Sequence, residues 1–132
     1  MRKRIILTKT DRPKNQKTKE YLKWVCTSLG FSSGRDIGDT SFKIMCQLLT
    51  EFKNEEIIPT VRIAESLKIE SPTVNHHLRN LIESGVILRE KRKVVLRGGS
   101  LSAAIEEMRE DAEKIFNRAI EISKEIDKRF GL

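Results

Sequence analysis

Apolar residues fall at helical spacing in four short stretches of the chain, give way to a strand-like run, and then return to helical spacing up to the last residues. Tyr21, Leu22, Val25 and Leu29 share one face of a helix that Thr18 can open and Gly30 stop. Gly30 to Gly38 then reads as a glycine-rich loop. Asp39 or Thr40 opens a second helix with Phe42, Met45, Leu48, Leu49 and Phe52 in one stripe and Cys46 beside it. Ile57-Ile58 is a short β-type step ended by Pro59. Thr60 caps a brief helix, Val61 to Leu67, with Ile63, Ala64 and Leu67 inward. Ser71 as N-cap and Pro72 behind it start the next helix, where Val74, Leu78, Leu81 and Ile82 face the core and Ser84-Gly85 ends the run. The link Lys68-Ile69-Glu70 is too short for antiparallel packing, so these two helices must cross steeply.

From Val86 the period changes to two. Val86–Glu90 and Lys93–Arg97 predict a two-stranded hairpin, and its Lys91-Arg92 tip lacks the Asn-Gly that tight turns prefer, which points to a wider turn. Gly98-Gly99 breaks the chain, and Ser100 or Ser102 caps a helix running to about Phe130. On it Leu101, Ile105, Met108, Ala112, Ile115, Ala119, Ile122 and Ile126 alternate spacings of four and three, an unbroken heptad seam that Phe116 and Ile120 widen. A rod of about 45 Å carries more apolar stripe than a small body can cover, so part of it should meet another helix, most simply that of a second copy. The expectation is a mainly α fold with a small β-hairpin. It divides into a basic arm (1–17), a body (18–99) and a C-terminal dimerisation helix (100–132).

Charge changes the picture once it is located. The net +7 is concentrated in residues 1–24, with nine Lys/Arg against two acids, and in 87–97, with five against one; residues 98–132 are net negative. Two separate basic patches suit a polyanionic partner. No apolar run is long enough to span a bilayer, and Ile5-Ile6-Leu7 is too short for a secretory core, so the reading is cytoplasmic with no membrane partner. Cys26 and Cys46, far apart and without a CxxC, read as buried thiols.

The chain offers little for catalysis: no P-loop, no HExxH, and no Ser or Cys nucleophile with a placed base. No cofactor is implied. The adjacent His76 and His77 diverge by about 100° on a helix and cannot chelate one ion as an i, i+4 pair can, so no metal site is assigned. His77 lies toward Val74 and Leu81 and reads as a hydrogen-bonded structural residue, whereas His76 faces outward.

The run Ile63-Ala64-Glu65-Ser66-Leu67-Lys68-Ile69-Glu70-Ser71-Pro72-Thr73-Val74-Asn75-His76-His77-Leu78, with Leu81 and Gly85, resembles the ArsR-type winged helix-turn-helix regulators. In that family a small residue of the first helix faces the second, and a TV-(S/N)-(R/H)-H-L run forms the recognition helix. The resemblance covers about residues 40–97 closely and the final helix in layout, but not 1–38. It departs at Lys68, where such turns usually carry Gly. It also departs in lacking a Cys pair near the helix-turn-helix and any His in 101–132. It therefore implies DNA binding and homodimerisation without the family's metal-sensing sets, and leaves the effector unknown.

On this resemblance the helix over 71–84 would read the major groove of double-stranded DNA, with Thr73, Asn75, His76 and Arg79 as base contacts. Ser71 and Asn80 would flank them on the backbone. Arg89, Lys91, Arg92, Lys93 and Arg97 of the wing would meet phosphates or the minor groove. Arg2, Lys3, Arg4, Lys9, Arg12 and Lys14 of the arm could reach further along the duplex. The implied protein is a sequence-specific transcriptional regulator. The alternative is a winged-helix protein-interaction or nonspecific nucleic-acid-binding module of a larger complex.

Overall fold

The computed structural model describes residues 3–32 and 39–132. Its elements run α1 (Thr18–Ser28), α2 (Thr40–Phe52), β1 (Ile57–Pro59), α3 (Thr60–Leu67), α4 (Ser71–Ser84), β2 (Ile87–Glu90), β3 (Lys93–Leu96) and α5 (Leu101–Phe130), with a single 3-10 turn before α5. Arg2 and residues 33–38 of the glycine-rich loop lie outside the described residues.

Helix α2 sits at the centre, against α1, α3, α4 and β1. Its burial is wider than the single stripe read from the sequence, since Ser41 and Ile44 are enclosed along with Met45 and Leu48. The helix is covered on several sides, and its exposed residues, Lys43 and Thr50, stand on one line with the half-buried Gln47 between them. Ile63 and Ala64 of α3, Val74, Leu78 and Leu81 of α4, and Ile58, Ile87 and Val94 of the strands complete one continuous core.

The sheet has three antiparallel strands in the order β1-β3-β2, one more than the expected hairpin. The step at Ile57-Ile58 extends through Pro59 and pairs with β3, Ile58 opposite Val94 and Pro59 opposite Lys93. An edge position at the strand's end tolerates proline's missing N–H. The wing turn is also tighter than expected: Glu90 pairs with Lys93, leaving Lys91 and Arg92 as a two-residue tip. Lys91 adopts the left-handed conformation (φ 59°) that glycine would usually supply. The Arg89 Nε donates to the Lys91 carbonyl at 2.7 Å and braces the tip.

The α3–α4 turn resolves the Lys68 departure in the same way. Lys68 itself takes the left-handed conformation, φ 55° and ψ 42°. Its N–H reaches the Glu65 carbonyl at 3.3 Å, and that of Ile69 reaches Ala64 at 3.0 Å, the paired bonds of a Schellman ending. The turn geometry is thus kept with a side chain where glycine would be unstrained. Helix α4 begins one residue earlier than expected, with Glu70 in the N-cap position and Ser71 already helical.

Residues 3–17 form no strand and do not stand away from the body. The Arg4 N–H donates to the Glu83 carbonyl at 2.8 Å and that of Thr8 to Ser28 at 2.9 Å. The Trp24 indole donates to the Asp11 carbonyl at 2.9 Å. The arm is therefore a strap over α1 and the end of α4.

Ser100 caps α5, accepting from the Ala103 N–H at 3.1 Å. Ala104 and Met108 are buried in the core, and Leu101 and Ile105 pack on its margin. From Glu113 onward every residue is exposed, so the helix projects as a free rod.

Candidate nucleic-acid interface

Two elements present the polar residues singled out above. On α4 the core side chains Val74, Leu78 and Leu81 fix the rotation of the helix, which leaves Thr73, His76 and Arg79 exposed on the opposite side. His77 points inward and is buried, its Nδ1 hydrogen-bonded to the Ser41 hydroxyl at 2.7 Å, tying α4 to the start of α2. The two imidazoles meet edge to face, 5.4 Å between centroids. No group of three or more His, Cys, Asp or Glu that could hold a metal ion occurs among the described residues.

Asn75 departs from the expected outward position. It is half-buried, and its Oδ1 is sealed from solvent without a hydrogen-bond partner. The helical period explains this: Asn75 is offset from Leu78 by only about 60° and so lies on the flank of the buried face. It lines a cleft of about 350 Å³ between α4 and the wing, together with Ser71, Thr60, Val61, Arg89 and Arg92. The fold thus brings together the N-terminus of α4, the positive end of its helix dipole, and the guanidinium groups of Arg89 and Arg92 from the wing. Such a cleft favours an anionic oxygen.

Arg89, Lys91, Arg92 and Lys93 are exposed, and none has an acidic partner within ion-pair distance among the described residues. Arg97 differs. Its guanidinium grips Asp111 of α5 at 2.6 and 3.3 Å, approaches Glu107 at 3.7 Å and touches the Gly85 carbonyl at 3.4 Å. Its side chain is only 17% exposed. Unlike the other wing cations, Arg97 is thus held in a structural tie to the acidic face of α5.

Lys3 joins the same tie, 3.2 Å from Asp111. The Arg97 hydrogen bonds, then Lys3, hold the Asp111 carboxyl below its ordinary range. Gly85 completes the arrangement: at φ 90° it ends α4, and a Cβ there would stand 2.8 Å from the Arg97 Nη1. This junction of arm, α4, wing and α5 escaped the sequence reading. Its linear trace is the run of acids Glu106, Glu107, Glu110 and Asp111 on α5.

Arg4 and Thr8 of the strap, with His76, Asn80 and Glu83 of α4, line a second recess of about 410 Å³. An arm cation thus stands beside the outward face of α4, which its place in the sequence did not reveal. Asn80 is half-buried in that recess. Elsewhere Arg62 is committed to Glu51 and Glu55 and belongs to the scaffold.

Two packed helices joined by a three-residue turn, an exposed polar face on the second and a cationic hairpin beside it are the parts of one recognised arrangement. Residues 39–87 match the family model for winged helix-turn-helix DNA-binding. The matched span runs from the residue before α2 to the first residue of β2. The rest of the wing follows directly and completes the winged helix-turn-helix. No curated protein and no solved structure gives a match. The match supports DNA as the partner of this winged helix-turn-helix, and no helix among the described residues is long and apolar enough to cross a membrane.

Proposed function

We propose that the protein is a cytoplasmic, sequence-specific transcriptional regulator of the small ArsR-like kind, binding double-stranded DNA as a homodimer. The observation that carries this reading is the pairing of an exposed Thr73, His76 and Arg79 face with an uncompensated cationic wing. Thr73, His76 and Arg79 enter the major groove and contact base edges; Arg is matched to guanine O6 and N7. Asn75, set back in the cleft, contacts the base or sugar nearest the wing. Ser71, Arg89 and Arg92 hold the phosphate that enters the cleft, with Lys91 and Lys93 on the next phosphates and Asn80 and Arg4 on the far side of the groove. The seam of α5 supplies the dimer contact, and two-fold symmetry implies paired half-sites. No catalytic role, cofactor or metal belongs to this reading.

The test is selection from random duplexes followed by binding to the enriched sequence and a scrambled control across a salt series. A symmetric motif should win over the control. Arg79→Ala should then lose about 1–3 kcal/mol of preference at one base position while keeping salt-dependent background affinity. Equal binding of both duplexes would reduce the protein to a nonspecific binder, and no binding would leave a protein-interaction module.

A further inference from the structure

We propose that the projecting half of α5 pairs with the same segment of a second copy in antiparallel orientation, Ile115 packing against the partner's Ile126 and Ala119 against the partner's Ile122. This inference rests on the homodimer reading above and adds the orientation and register of the interface.

The face to be covered is large and lacks any cover within the described chain. Ile115, Ile122 and Ile126 are 57%, 56% and 48% exposed, and Phe116 and Ile120 beside them are also open. The orientation follows from what each arrangement would place in contact. In a parallel pair identical seam positions meet, so Ala112 and Ala119 would face their own copies and leave two thin layers among the isoleucines. In the antiparallel register each alanine at 119 meets an isoleucine at 122, and the two outer layers are Ile–Ile. Small against large keeps the layers evenly filled.

Charge selects the same solution. With Ile115 opposite the partner's Ile126, the flanking Arg118 stands opposite the partner's Glu125, and symmetry repeats the pair. Sliding by one heptad in either direction sets Arg118 against Arg118 or Glu125 against Glu125. The parallel arrangement gives no opposite-charge pair at these flanks: Arg118 would face Ser123 and Glu125 would face Phe130. On the other flank Phe116 lies over the small Ser123 of the partner, which leaves room for the ring.

Length agrees as well. In this register Ala112 comes level with the partner's Arg129, so pairing starts where α5 leaves its own body and ends at the last turn of the helix. The two bodies then lie at opposite ends of the paired rod. Residues 1–97 hold 20 Lys/Arg against 11 Asp/Glu, and a parallel pair would bring both of these basic bodies to one end.

Cysteine cross-linking of the full chain tests the orientation. Ile115→Cys and Ile126→Cys are made separately in a Cys46→Ser background; Cys26, 1% exposed, is shielded from the oxidant. Mixed, the two variants should form a 115–126 disulfide, whereas each alone should form little. Rapid same-site cross-linking by each variant alone, with dimer mass in light scattering, would overturn the antiparallel orientation and leave the homodimer standing. A monomer mass for the unsubstituted chain would overturn both. A charge exchange guards against loss of packing in those variants: Arg118→Glu should raise the dimer dissociation constant about tenfold, and adding Glu125→Arg should restore it. No rescue by the second change would also count against the register.

Discussion

At the level of single residues, the backbone keeps two turns in conformations that suit glycine while placing lysines there. Lys68 ends α3 in the left-handed region, and its exposed side chain makes no ion pair among the described residues that would compensate. A residue with a Cβ pays about 1 kcal/mol or more for that conformation. Lys68→Gly should therefore stabilise the protein by about 0.5–1 kcal/mol, after allowing for glycine's greater freedom when unfolded, a rise of roughly 2–4 °C in Tm. The check is a thermal melt of the variant beside the parent, and a lower Tm would mean that the lysine side chain contributes more than its backbone costs. Cys26 shows the opposite case, a residue whose environment is wholly structural: burial, then the nearby Cys46, pushes its thiol up to about 12.

At the level of elements, the reading of sequence succeeded where one period dominates. The Ser100 cap of α5, the core face of α4 and the buried His77 are local properties of residues a few positions apart, so pattern alone reached them. What it missed depends on contacts between distant segments. Pairing of β1 with β3, the sealed Oδ1 of Asn75 and the capture of Arg97 by Asp111 require knowing which elements become neighbours, and a linear pattern does not encode that. The Asp111 junction carries its own prediction. Its carboxyl is held below the ordinary value of 3.8, chiefly by the Arg97 hydrogen bonds. A depressed folded pKa adds stability that is fully present above the unfolded value and fades as pH falls through the folded one. Asp111→Asn should thus lower Tm at neutral pH, and its gap from the parent should close as pH falls below about 4. Melts over pH 2 to 7 check this, and a gap that stays constant with pH would place the effect in packing instead of charge.

At the level of the whole molecule, the division of α5 matters most. Its first three turns belong to the core through Ala104 and Met108, while every residue from Glu113 onward is exposed. Core and overhang can therefore be separated by experiment. A chain ending at Ala112 keeps the buried residues, the Arg97–Asp111 tie and the whole winged helix-turn-helix, so it should fold. It should lose only what the proposed second copy would provide. The parent's melting temperature should climb with protein concentration, since association stabilises the folded state by mass action, and that of the shortened chain should stay constant. On DNA the shortened chain should keep its base preference on a single half-site but bind paired half-sites at least about a hundredfold more weakly, because linking two sites raises affinity by effective concentration without new contacts. Equal affinity of both chains for paired half-sites would mean that each body binds independently and that the projecting helix serves another partner.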